Sequence, residues 1–205
     1  GQVGRGPERR VLVFAGQGSQ WIGMGRGLLA EAPVFRAELE RCDELVRAQA
    51  GWSLLAELEA PAETSRLHAP EVAQPALFAV QVGLAAVLAD WGIGPDAVMG
   101  QSAGEVAAAY VAGALTLADA VRVIVLRGQV LRAAIGRGTM AWVGLEREAA
   151  ARAIAGRSDV AIAAVNDREA VLLSGGPELA RVEGVQVTAA EAEAALAGFE
   201  PRETA

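Results

Sequence analysis

The chain has 205 residues, 53% of them hydrophobic and 21% charged, which is enough for one domain with a sizeable core and too apolar for a disordered segment. Eighteen basic residues, all arginine, against twenty-five acidic ones leave a net charge of −7, which excludes the clustered positive charge of a nucleic-acid footprint. A single cysteine, Cys42, and a single histidine, His68, exclude a disulfide framework, a multi-thiolate metal site and a histidine cluster for zinc or iron.

Residues 1–10, rich in Gly, Arg and Pro, read as a linker, and with no initiating Met the chain reads as a segment of something longer. The apolar run 11–15 behind this basic start is too short for a signal-peptide core. Residues 11–14 predict a short buried strand that stops at the glycine turn Ala15-Gly16-Gln17-Gly18-Ser19-Gln20. Val34, Leu39, Cys42, Leu45 and Val46 recur at helical spacing over 33–50, and a mostly apolar helix is predicted over 75–91. The apolar stretches 76–89 and 106–117 are short for a membrane span, so no membrane and a reducing, cytoplasmic setting are expected. Residues 96–99 predict a second short strand, ending at Gly100-Gln101-Ser102-Ala103-Gly104. Helices are then predicted over 105–114 and 117–135, the latter N-capped near Thr116. Short strands alternating with long helices imply an α/β fold with a parallel sheet.

The texture changes after residue 138. Residues 139–145 predict a strand, 148–155 a helix, and 160–165 and 170–174 two strands joined by the polar hairpin Asn166-Asp167-Arg168-Glu169. This β-α-β-β order is the start of a ferredoxin-like unit. Residues 182–187 offer a further strand, and 189–205 are an Ala/Glu-rich tail.

The sharpest chemical feature is Gly100-x-Ser102-x-Gly104 between a strand and a helix. A serine on so tight a turn is pushed out of the backbone, small neighbours let the turn close, and the following helix aims its free N–H groups at the same point. An oxyanion forming there meets the N–H of Ala103; an ordinary glycine-rich β-to-α turn is the plainer alternative. The Gly16–Gln20 loop can bring a second N–H, and it has neither the Lys-Ser/Thr of a phosphate loop nor the spacing of a dinucleotide fingerprint. Arg127 interrupts the apolar run Val123-Ile124-Val125-Leu126 and needs a partner. A ligand carboxylate held bidentately and a structural salt bridge or snorkelling arginine both answer that need.

These residues carry a resemblance. The segments are Val13-Phe14-Ala15-Gly16-Gln17-Gly18-Ser19-Gln20-Trp21, Val72-Ala73-Gln74-Pro75-Ala76-Leu77-Phe78-Ala79-Val80 and Gly100-Gln101-Ser102-Ala103-Gly104-Glu105. Ala108-Ala109-Tyr110-Val111-Ala112-Gly113-Ala114-Leu115, Leu126-Arg127, Gly138-Thr139-Met140-Ala141 and Ala164-Val165-Asn166 through Ser174-Gly175 complete the set. Over about residues 11–176 the chain resembles the acyltransferase domain of a modular type I polyketide synthase, in the malonyl-CoA:acyl-carrier-protein transacylase family. The resemblance implies an incomplete α/β-hydrolase-like large subdomain over 11–136 and an inserted ferredoxin-like small subdomain over 137–188. It implies a ping-pong transfer: Ser102 takes a malonyl-type group from acyl-CoA and passes it to the phosphopantetheine of an acyl carrier protein. The N–H groups of Gln17 and Ala103 form the oxyanion hole, Arg127 holds the substrate carboxylate, and Gln101 and Asn166 shape the cleft. It implies no metal and no bound cofactor, and a neighbouring ketosynthase domain as partner.

Three departures stand out. Gln101 replaces the usual histidine before the nucleophile, Ala103 is smaller than the usual residue after it, and the family's catalytic histidine lies in a stretch this chain does not contain. Losing the base of a Ser–His pair costs on the order of 10⁶ in turnover. His68 falls where the family has a variable surface residue. A vestigial, non-catalytic scaffold domain is therefore the alternative; an α/β-hydrolase such as a thioesterase leaves Arg127 and the Gly16–Gln20 loop without a role.

Overall fold

In the computed structural model, which describes residues 9–136 and 138–176, β1 (Val11–Phe14) and β2 (Ala97–Gly100) pair in parallel, with Val11 opposite Ala97 and Phe14 opposite Gly100. That register ends both strands at the same level, so the two glycine loops leave the sheet side by side. The Gln101 N–H donates to the Phe14 carbonyl at 3.0 Å, which stitches the loops together one residue past the ladder. The chain divides into two compact units, Gly1–Arg132 and Ala133–Ala205.

In the first unit the crossover between the strands is helical: α1 (Arg26–Glu31), α2 (Pro33–Ala50), α3 (Leu54–Glu59) and α4 (Pro70–Asp90), with α5 (Gly104–Val111) and α6 (Leu117–Ala134) after β2. The core runs through Phe35, Leu39, Val46, Leu54, Leu58, Val72, Phe78, Val82 and Ile124. Helices α2 and α4 approach closely because Gly83 carries no side chain: a Cβ there comes within 2.6–2.8 Å of Leu39 and Phe35. Helix α4 is long and apolar enough to cross a membrane, but most of it is buried inside the unit, as in a core helix. Asp43 ties α2 to α3, accepting from Ser53 Oγ at 2.9 Å, the Leu55 N–H at 3.2 Å and Arg47 Nε at 2.6 Å. Ser53 in turn caps α3 by accepting from the Ala56 N–H. Thr116 caps α6 as its sequence predicts, accepting from the Asp119 N–H at 3.1 Å.

Two expectations are corrected here. The helix predicted from residue 75 starts at Pro70, which takes the first-turn position that favours proline, and Pro75 lies inside it. The strand over 11–14, predicted as buried, is buried on one face only: Val11 and Val13 are 51% and 66% exposed, and Met99 beside Val13 is 57% exposed. Leu12, Phe14 and Val98, on the other face, pack against the helices. The alternation of period two is what a sheet covered on one side requires.

In the second unit β3 (Thr139–Val143), α7 (Arg147–Ala153), β4 (Val160–Asp167) and β5 (Ala170–Gly175) form a sheet of order β3-β5-β4 with both outer strands antiparallel to β5. The hairpin turns at Arg168 and Glu169, since Asp167 still pairs with Ala170. Its core is Ala141, Val143, Ala150, Val160, Val171 and Leu173. The possible strand at 182–187 and the tail at 189–205 lie outside the described residues, as do residues 1–8 of the predicted linker.

Candidate active site

The turn from β2 into α5 is built from close approaches that only glycine permits. A Cβ on Gly104 would lie 2.1 Å from the Phe14 carbonyl oxygen, and one on Gly100 would lie 2.3 Å from the Gly104 carbonyl oxygen. Between them Ser102 has φ 55°, and among the described residues it is the one non-glycine at positive φ. That conformation costs about 1–2 kcal/mol for an L-residue, and it lifts the exposed hydroxyl off the top of the turn. On the neighbouring loop a Cβ on Gly16 would come 3.1 Å from the Gln101 carbonyl oxygen and 3.3 Å from Ser102 Cβ, so the Gly16 backbone lies against the elbow. Gln81 holds that loop at its base, donating to the Ala15 carbonyl at 2.7 Å.

Arg127 reaches this point from α6. Its Nη2 donates to Ser102 Oγ at 2.7 Å and its Nη1 to Gln74 Oε1 at 2.7 Å. Gln74, fully buried on α4, donates through Nε2 to Gln17 Oε1 at 3.0 Å. One chain of hydrogen bonds therefore runs Gln17–Gln74–Arg127–Ser102 through residues far apart in sequence. Among the described residues no carboxylate pairs with Arg127: its partners are an amide and a hydroxyl, both neutral. No acidic side chain among the described residues offsets the guanidinium beside the serine, which suits an anionic ligand group.

The N–H of Ser102 is taken by Glu105 Oε1 at 3.0 Å. The N–H groups of Gln17 and Ala103 donate to no protein acceptor among the described residues, and α5 begins at Gly104 with its positive end at the elbow. Gln101 is exposed, and its backbone rather than its side chain is hydrogen-bonded. Asn166 lies exposed on β4 of the second unit. His68 is exposed ahead of α4 without a side-chain hydrogen-bond partner. Cys42 is no rival nucleophile: burial pushes its thiol up to about 12.

The structure thus joins Ser102, Ala103, Gln101, the Gln17 loop and Arg127 in one place. Sequence reasoning gave no role to Gln74 or Glu105. For Gln74 the available signal was a lone amide inside the apolar run Val72–Ala79, where an unpaired polar group is costly. For Glu105 it was the Ser-x-x-Glu spacing of a helix start.

The acyl transferase domain model matches residues 11–196. Erythronolide synthase EryA3 of Saccharopolyspora erythraea is 45% identical over 169 residues, which are 82% of this chain and 5% of that protein. Among solved structures, the acyltransferase domain from module 8 of the salinomycin polyketide synthase is 41% identical with a TM-score of 0.76, over 82% of this chain and 40% of that one. The malonyl-CoA:ACP transacylase of Synechocystis sp. PCC 6803 is 29% identical with a TM-score of 0.72, over 95% of this chain and 60% of that one. The chain so spans a twentieth of the synthase and about half of the solved acyltransferases, and across nearly all of its own length it belongs to the acyl transferase domain family.

Proposed function

We propose that the chain carries the nucleophile half of an acyltransferase that moves a malonyl-type group from CoA to the phosphopantetheine of an acyl carrier protein in polyketide assembly. The observation that carries this reading is Arg127, whose partners among the described residues are neutral and include the hydroxyl of a strained serine. Ser102 Oγ attacks the thioester carbonyl; an O–C bond forms, the C–S bond breaks, and the serine proton ends on the departing CoA sulfur. The oxygen of the tetrahedral intermediate sits between the N–H groups of Gln17 and Ala103. Arg127 turns its Nη2 from Ser102 to the free carboxylate of the acyl group, with Gln101 beside it. The carrier's thiol then attacks the ester, re-forming a C–S bond and returning a proton to Ser102.

In this reading the first unit belongs to an α/β-hydrolase-like large subdomain, and β3, α7, β4 and β5 to a ferredoxin-like small subdomain that carries Asn166. The strand order β3-β5-β4, with a crossover helix between the two outer parallel strands, supports the latter. A ketosynthase domain as neighbour and a cytoplasmic setting belong to this reading, which the polyketide synthase relatives support. No metal and no bound cofactor is required by this chemistry.

A second reading, a non-catalytic scaffold domain, is favoured by one observation: among the described residues Ser102 Oγ is bonded to Arg127 and to no base. Intact mass after mixing the chain with malonyl-CoA tests the acyltransferase reading. A gain of one malonyl group that Ser102→Ala abolishes is the expected result and overturns the scaffold. A folded chain that gains nothing leaves a cut-off enzyme and a scaffold standing, and reading the gene downstream for the catalytic histidine decides between them.

A further inference from the structure

We propose that Glu105 is the positioning residue of the nucleophile, its carboxylate closing the elbow so that the serine hydroxyl is released from helix capping. This rests on Ser102 being the nucleophile, as proposed above. In a Ser-x-x-Glu helix start the serine oxygen ordinarily turns inward to accept a helix N–H while the glutamate reaches back to the serine N–H. Here only the glutamate half is made. Glu105 Oε1 accepts the Ser102 N–H at 3.0 Å, and the Glu105 N–H donates to the Ser102 carbonyl at 3.1 Å. The two bonds clasp Ser102 on both sides of its Cα.

The serine half is missing: α5 has no side-chain cap, and Ser102 Oγ accepts from Arg127 instead. The first turn is closed by backbone bonds alone, Gly104 N–H to the Gln101 carbonyl at 2.9 Å and Val106 N–H to the Ala103 carbonyl at 3.2 Å. A residue at φ 55° relaxes toward an ordinary conformation unless its surroundings hold it. Side-chain crowding cannot supply that hold at Gly100 and Gly104, so the carboxylate clasp does. Its negative charge lies at the positive end of α5, which favours it there. The same charge near Oγ does nothing for a developing oxyanion, so the useful part is the acceptor oxygen, which a glutamine keeps.

The test follows labelling of Ser102 in the 205-residue chain by intact mass, with two reagents. A fluorophosphonate needs no carboxylate site: an Oγ–P bond forms, fluoride leaves, and the hydroxyl proton goes to solvent. Malonyl-CoA needs Arg127 as well. Glu105→Met is expected to slow both reactions about tenfold at saturation, the rate equivalent of one charge-assisted hydrogen bond, without moving the half-saturating malonyl-CoA concentration. Glu105→Gln is expected to stay within about threefold of the parent, since it restores the acceptor.

Parent-like rates in Glu105→Met, or a glutamine variant as slow as the methionine one, overturn the proposal, as does a folded parent unlabelled by the fluorophosphonate. If the methionine variant does not fold, Glu105→Asp carries the test, because its shorter side chain loses the clasp but keeps the charge; parent-like labelling there overturns it too. Fluorophosphonate labelling that depends on Glu105, without acylation by malonyl-CoA, sustains the elbow while acyl transfer by these 205 residues alone fails.

Discussion

Arg127 donates one nitrogen to Gln74 and the other to Ser102, so in the proposed reaction its grip on a ligand depends on how well Gln74 fixes it. Gln74 is fully buried and has both ends of its amide in use, Oε1 on Arg127 and Nε2 on Gln17. Replacing Arg127 with Ala should abolish preference for malonyl-CoA over a monocarboxylic acyl-CoA, a loss of roughly ten- to hundredfold for a charge-assisted hydrogen bond. Equal loss for both donors would argue for a purely structural arginine. Gln74→Met fills the same space without polar atoms and should lower the same preference. Added to Arg127→Ala it should change the preference little further, because two residues acting through one contact are not additive. Calorimetric binding of the two CoA esters to the Ser102→Ala background reads this cycle without turnover.

The connection between α2 and α3 shows how an element boundary depends on one carboxylate. Burial works to raise the Asp43 carboxyl, but hydrogen bonds from Ser53, Arg47 and the Leu55 N–H prevail and hold it below the ordinary aspartate value. A lowered folded value means stability that is fully present above the unfolded value near 3.9 and lost as pH falls through the folded one. Asp43→Asn should therefore cost about 1–3 kcal/mol at neutral pH, where three donors lose a charged acceptor. The melting curves of parent and variant should converge in acid; a constant gap between them would show that the charge does not matter.

The short helices at this connection also mark where sequence pattern runs out. Helices α2 and α6 are long and periodic, and their predicted bounds lie within a residue of the observed ones. The six-residue helices α1 and α3 offer less than two turns of period and were not predicted, although Ser53 before Leu54 was a legible cap. In the site, Ser102, Gln17 and Arg127 stood out through local motif or through an odd residue in an apolar run. The work of Gln74 rests on contacts 57 and 53 residues away, which no local pattern encodes.

At the scale of the whole chain the first unit leaves apolar surface uncovered. Val13 and Met99 are directly opposite on the exposed face of the β1–β2 pair, flanked by Val11. Among the described residues neither strand has a second partner, so both outer edges present free backbone groups. On α6, Val123, Leu126 and Val130 are 43%, 50% and 68% exposed. Open edges and contiguous apolar patches drive association, and a net charge of −7 opposes it only weakly at physiological salt, where repulsion is screened within about 8 Å. The chain should accordingly self-associate at micromolar concentration. Val13→Lys, at a position already 66% exposed, should shift sedimentation toward the monomer without lowering the melting temperature. A parent chain that sediments as a monomer throughout, with a sharp and concentration-independent unfolding transition, would show that the exposed sheet face carries no such drive.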